Sequence, residues 1–149
     1  MTCVNGFPES SLQSLIAEAF DRQTSDLLKY WHDRGHEKLT ISHFLNVLRF
    51  VSQEGIRPAR ISELSGISQQ GTSLLITELV SLGYVDRTPD PADKRAQVVR
   101  WSEKGLAVAW VTETWFRECE KNWRNHLGDQ AVEGAFLTLQ HVISEGREK

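Results

Sequence analysis

The sequence predicts a mainly α-helical fold carrying one small β-hairpin. Three observations predict it. Apolar residues recur at helical spacing through most of the chain. The period changes to strand-like alternation only at residues 84–88 and 96–101, on either side of a proline-rich turn at 89–95. Just before that hairpin lie two short helical patterns, separated by Ser65-Gly66. Helix, tight turn, helix and hairpin in this order predict a winged helix-turn-helix, held between long N- and C-terminal helices that suit dimerisation. The expected division is an N-terminal dimerisation helix at 1–36, a DNA-binding domain at 37–103 and C-terminal dimerisation helices at 104–149.

Each element has a local reason. Residues 1–8 read as a loose start. A first helix begins at Ser10 or Ser11, with Leu12, Leu15, Ile16, Ala19, Phe20, Leu27, Tyr30 and Trp31 on one face, and stops at Asp33-Arg34-Gly35. Thr40 is a good N-cap for a second helix containing residues 41–53, whose buried stripe is Phe44, Val47, Leu48 and Val51. Pro58 suits the first turn of a third helix, where its missing N–H costs nothing, and Ile61 and Leu64 are expected to point inward. Ser68 caps a fourth helix. Its inner face is Leu75, Ile76, Leu79 and Leu82, and its outer face carries Gln69 or Gln70, Ser73 and Thr77. Ser102 caps a fifth helix to about Leu127. A sixth follows Gly128-Asp129 with Ala131, Val132, Ala135, Phe136, Leu139, Val142 and Ile143 on its apolar face.

Composition narrows the function. The 149 residues suit one domain with a helical extension, and 40% hydrophobic with 25% charged residues is ordinary for a globular protein. The net charge is −3, so a nucleic-acid surface has to be a local basic patch. No basic leader runs into an apolar stretch, and no stretch reaches membrane-spanning length. A cytoplasmic protein is expected, without membrane association. Cys3 and Cys119 lack metal-ligand spacing, and no nucleophile–base pair or phosphate loop stands out. The expectation is no enzyme, no cofactor and no metal. His32 and His36 are four apart, but Gly35 and the helix end stand against a shared ligand face.

The outer face of the fourth helix can reach base edges in a major groove about 12 Å wide. A glutamine pairing with adenine there is worth about 1–3 kcal/mol of discrimination. Lys94 and Arg95 at the hairpin tip place charge where a phosphate or narrow minor groove would lie. Asp93 is placed to pair with Arg95 or Arg87. From 68 to 82 there is no Lys or Arg, so phosphate anchoring falls to Arg57, Arg60, Lys94, Arg95, Arg87 and Lys38.

Residues 83–105, GYVDRTPDPADKRAQVVRWSEKG, resemble the wing of the MarR (multiple antibiotic resistance regulator) family of bacterial transcription factors. The Leu39-Thr40 helix start and Leu127-Gly128-Asp129 are similar to that family as well. The resemblance implies a homodimer built on the first, fifth and sixth helices, reading a pseudo-palindromic operator in double-stranded DNA. It implies repression relieved by a small aromatic effector. By position it implies that Ser68, Gln69, Gln70, Thr72 and Ser73 read the major groove, and that Arg95, supported by Asp93, enters the minor groove. Leu74 stands where the family often has an Arg, and Gly71 lowers helix propensity by about 1 kcal/mol against Ala. Tyr30, Trp31, His43, Trp110 and Trp115 are the candidate effector residues, with core and dimer interface as their other reading. The alternative function is a winged-helix protein without specific DNA readout, acting as a protein-interaction adaptor or small-molecule-binding protein.

Overall fold

The computed structural model describes residues 11–145 and, before them, a two-residue antiparallel pair, β1 (Cys3–Val4) with β2 (Phe7–Pro8). The expected loose start is therefore paired at those four residues. The Cys3 side chain lies outside the described residues. The chain divides into two compact units, Met1–Ala109 and Trp110–Lys149.

In the first unit α1 (Leu12–His32) starts where the Ser11 hydroxyl accepts the Ser14 N–H at 3.1 Å. Its last turns bury Leu27 and Trp31, while Leu12, Leu15 and Phe20 near its start stay exposed. Gly35, at φ 85°, turns the chain toward the second helix.

Thr40 caps α2 (Ile41–Asn46) in a reciprocal box: its hydroxyl accepts the His43 N–H, and His43 Nδ1 accepts the Thr40 N–H, both at 3.2 Å. The helix expected to reach Gln53 ends at Asn46, and Leu48–Phe50 form a 3-10 turn. The backbone leaves the helical region at Val47 (φ −135°, ψ −63°). That break lets Val47, Leu48 and Val51 all enter the core, so burial overrides helix continuation.

Pro58 opens α3 (Pro58–Ser65), and Gly66 closes it in the left-handed conformation. Ile61 is fully buried as expected, but Leu64 is exposed. Ser62 takes the inward place instead, because its hydroxyl donates to the Ile67 carbonyl at 2.7 Å and ties the turn. Ser68 then caps α4 (Gln69–Ser81) by accepting the Gly71 N–H at 3.0 Å. Ile76 and Leu79 are its buried anchors.

The wing is β3 (Val85–Pro89) against β4 (Gln97–Trp101), antiparallel, with Val85 opposite Trp101 and Arg87 opposite Val99. Ile56 pairs with Val99 from the other edge of β4 through backbone bonds of 3.0 and 2.8 Å. The chain entering α3 is thus fastened to the wing. Trp101 Nε1 donates to the Val51 carbonyl at 3.0 Å, fastening the base of the hairpin to the segment after α2.

Ser102 begins α5 (Glu103–Leu127): its hydroxyl accepts the Gly105 N–H at 3.0 Å and donates to the Gly83 carbonyl at 2.5 Å. Lys104 Nζ donates to the Leu82 carbonyl at 2.8 Å and lies 4.2 Å from the centre of the Tyr84 ring. The carbonyl end of α4 is therefore met by both a hydroxyl and a cation.

In the second unit Gly128, at φ 85°, makes the corner between α5 and α6 (Asp129–Glu145). Arg124 braces that corner through Glu133 at 2.7 Å, Glu120 at 2.7 Å and Asp129 at 3.3 Å. Of the predicted α6 stripe only Val132 is buried; Phe136, Leu139, Val142 and Ile143 stay exposed. An open apolar groove of about 330 Å³ runs along Trp123, Leu127, Val132, Phe136 and Leu139. Among the described residues no helix is long and apolar enough to cross a membrane.

Candidate nucleic-acid interface

Once Thr72, Ile76 and Leu79 are buried, the rest of α4 is committed to an outward face. Ser68, Gln69, Gln70, Ser73, Leu74 and Thr77 are all exposed. Thr72, expected among the groove-reading residues, is a correction: it is fully buried, and its hydroxyl has no hydrogen-bond partner among the described residues. It lies one turn before Ile76 on the inner stripe, so helical spacing places in the core a residue that the family resemblance put among the readers.

The missing cation of α4 is supplied from outside the helix. Arg87, on β3, reaches across and donates through Nη2 to Thr77 Oγ1 at 3.0 Å and to the Ser73 carbonyl at 3.4 Å. Thr77 Oγ1 itself donates to the Ser73 carbonyl at 2.8 Å, leaving its lone pairs for the guanidinium. A helix whose one charged residue is Glu78 thereby acquires a fixed positive group on its outer face.

The wing loop is closed by its own hydrogen bonds. Asp90 N–H donates to the Ala96 carbonyl at 2.9 Å, and Ala96 N–H to the Asp93 carbonyl at 2.9 Å. The Asp93 carboxylate accepts the Arg95 N–H at 3.1 Å. Asp93 was expected to pair with an arginine side chain. It holds the Arg95 backbone instead, and among the described residues it enters no ion pair. The Lys94 and Arg95 side chains are exposed and likewise in no ion pair among the described residues, which leaves their charge for a partner.

Arg57, expected to anchor phosphate, also has a partner within the chain. Its guanidinium meets the Asp90 carboxylate at 2.6 and 2.7 Å, joining the start of α3 to the wing across 33 residues. Its side chain remains half exposed. Arg60 pairs with Glu63 at 2.8 Å on the α3 surface. The Ala92 N–H first, and then Arg57, hold the Asp90 carboxyl below the usual carboxylate range.

A pH prediction follows from that depressed value. The wing anchorage is fully present above the unfolded-state carboxylate pKa of about 3.9, and it is lost as pH falls through the lower folded value. An NMR titration of the Ala92 amide should show its acid transition below pH ~4, and Asp90→Asn should erase it. A midpoint at or above the ordinary aspartate value would refute the anchorage.

The aromatic candidates separate. Trp31 and His43 are each 1% exposed. Trp31 packs edge-on against Phe44, and His43 is spent on the Thr40 box and on Glu78, 3.2 Å from its Nε2. Both are core groups, the other of the two readings given to them, and neither is open to an effector. Tyr30 is half-buried beneath the Arg34 guanidinium, 3.3 Å from its ring centre. In the second unit Trp115 is buried and Trp110 is 71% exposed. His32 and His36 go to separate partners, the Leu39 carbonyl at 3.2 Å and the Tyr84 hydroxyl at 2.9 Å. Burial, and then Lys104, lower the His36 pKa.

Sequence reasoning did not find the Arg57–Asp90 pair, the His43–Glu78 contact or the closeness of Gly105 to Tyr84. The Asp-Pro-x-Asp run marks Asp90 as a turn residue, but nothing local names its partner.

Residues 39–96 match the MarR family model. A sequence comparison with curated proteins gives no match. Solved structures share the fold. A MarR family transcriptional regulator from Silicibacter pomeroyi superposes with a TM-score of 0.73 at 18% identity, over 97% of each chain. CouR from Rhodococcus jostii RHA1, solved bound to p-coumaroyl-CoA, gives 0.70 at 20% identity, over 90% of this chain and 92% of its own. Wild-type MarR from E. coli gives 0.64 at 21%, over 89% and 96%. The segment 39–96 is thus similar to the MarR family, and the described residues share the winged helix-turn-helix fold of these solved structures.

Proposed function

We propose that the protein is a homodimeric repressor that places α4 in the major groove and the wing tip at the minor groove of a pseudo-palindromic operator. The observation that carries this is the Arg87 bridge, which makes α4 and the wing one polar, cationic surface. Gln69, Gln70 and Ser73 supply the base-directed groups, with Ser68 at the helix N-terminus beside a phosphate. Arg95 and Lys94 supply the affinity of the wing, with Asp93 setting the Arg95 backbone. Arg57 and Arg60 sit at the rim for phosphates.

The dimer is supported by apolar faces left uncovered in each unit. Leu12, Leu15 and Phe20 are each at least 50% exposed on α1, and Leu137, Val142 and Ile143 likewise on α6. Two modules in such a dimer suit half-sites about one helical turn, roughly 34 Å, apart. A small aromatic effector fits the family and the ligand named for CouR; of its candidate contacts Tyr30 remains in the first unit, and Trp110 and Trp115 in the second. Such a regulator works in the cytoplasm, where its operator is.

The test is a mobility shift on a site enriched from random DNA. Arg95→Ala is expected to weaken binding about 10- to 100-fold, consistent with losing one wing contact from each protomer, while sedimentation still shows a dimer. Unchanged affinity would remove the wing from the interface. No enriched site at low salt would favour the adaptor reading.

A further inference from the structure

Leu74 is 66% exposed. At 3.6 residues per turn it lies about 170° from the centre of the buried face set by Thr72, Ile76 and Leu79. No residue of the polar outer face is closer to the point directly opposite the core than Leu74 and Ser81. Gln70 sits one turn before it, Thr77 almost one turn after, and the Arg87 guanidinium lies to one side over Ser73 and Thr77. A leucine side chain makes no hydrogen bond. At the middle of a base-reading surface it presents an apolar cap where neighbouring positions present donors and acceptors.

The major groove offers one apolar feature, the C5 methyl of thymine. Any other base edge beneath Leu74 would have its donors or acceptors covered without a partner, which is unfavourable. We propose that Leu74 is a specificity-determining residue that reads a thymine methyl group in each half-site, both by packing on it and by excluding the polar edges of other bases. This rests on α4 lying in the major groove, and it assigns that contact a base. Single exposed leucines are common on protein surfaces; this one differs in standing at the centre of a face otherwise made of Gln, Ser, Thr, a guanidinium and, at its edge, the Glu78 carboxylate turned toward His43.

The experiment replaces thymines of the enriched operator one at a time with deoxyuridine. This removes the methyl and keeps the Watson–Crick pairing. Wild-type protein is expected to bind about fourfold more weakly when the thymine under Leu74 is changed in one half-site, as removal of one buried methyl implies. With both half-sites changed the loss is expected to be about sixteenfold. Leu74→Ala, which lies on an exposed helix face and keeps helix propensity, should bind the thymine and uracil operators equally.

A flat uracil scan on an operator that still binds specifically would overturn the thymine contact and leave the DNA reading standing. A uracil effect that persists in Leu74→Ala would assign the methyl to another side chain and also overturn it. If the scan is flat and Leu74→Ala changes self-association in sedimentation, Leu74 belongs to a protein contact. Absence of any enriched operator would overturn the DNA reading and this contact together.

Discussion

Gly105→Ala unfolds the winged module at temperatures where the parent protein is folded. The new methyl carbon would overlap the Tyr84 carbonyl oxygen and stand 2.8 Å from Cε3 of the Trp101 ring. Neither neighbour has room to move. The Tyr84 carbonyl already accepts the Ser102 N–H at 3.2 Å, and Tyr84 is 2% exposed. Trp101 is held by its bond to the Val51 carbonyl. The clash is with backbone at the junction of α4, β3 and α5, so relief requires all three to shift. Overpacking of this kind costs about 3 kcal/mol or more, against a total stability of about 5–15 kcal/mol. The measurement is thermal unfolding by circular dichroism, where a drop of about 6 °C or more is expected. Ala at an ordinary mid-helix position would raise stability, so an unchanged or higher melting temperature would show that the junction is not as tight as described.

His43→Ala is expected to cost about 2–4 kcal/mol and to loosen α4 as well. The ring is 1% exposed and has two assignments. Nδ1 accepts the Thr40 N–H, so in the neutral ring the proton sits on Nε2, which donates toward the Glu78 carboxylate at 3.2 Å. One side chain therefore caps α2 and also ties α2 to α4. Alanine removes the His43 half of the capping box, leaves the Thr40 N–H without that acceptor and opens a cavity. Nitrogen-15 NMR of the wild-type ring should show the Nε2–H tautomer. In chemical denaturation the midpoint should fall in the variant. Operator affinity measured well below the melting temperature should also fall, because Glu78 no longer fixes the pose of α4. A normal affinity in a destabilised variant would limit His43 to the core.

Local chemistry was readable in the sequence; long-range partnership was not. Ser11, Thr40, Pro58, Ser68 and Ser102 each declared a helix start, and Gly35, Gly66 and Gly128 declared ends, because caps act over three or four residues. The hairpin was readable from its change of period and its prolines. The 3-10 turn after α2 was not, because residues 41–53 are compatible with one helix until Val47 and Leu48 compete for the same core. Leu64 and Thr72 were misplaced for a related reason. An inner stripe on a short helix is set by what lies across from it, and Ser62 and Thr72 fit spaces that apolar counting gives to bulkier groups. The outward place of Gln70, Ser73 and Arg95 was readable from type and position. The pairing of Arg57 with Asp90 and the crossing of Arg87 onto α4 depend on β3 lying beside α4, which no spacing rule encodes.

The self-closed wing loop bears on how binding is timed. Its turn is already fixed by the bonds of Asp90, Asp93 and Ala96 before any DNA is met. On the proposed function, docking on DNA therefore immobilises only the torsions of the Lys94 and Arg95 side chains, about 0.5–1.5 kcal/mol each, and leaves the backbone entropy of a seven-residue loop untouched. A preorganised tip needs no folding step after encounter. Changes to its two cations then appear chiefly as a shorter residence time on the operator, while a variant that frees the loop backbone slows productive capture as well.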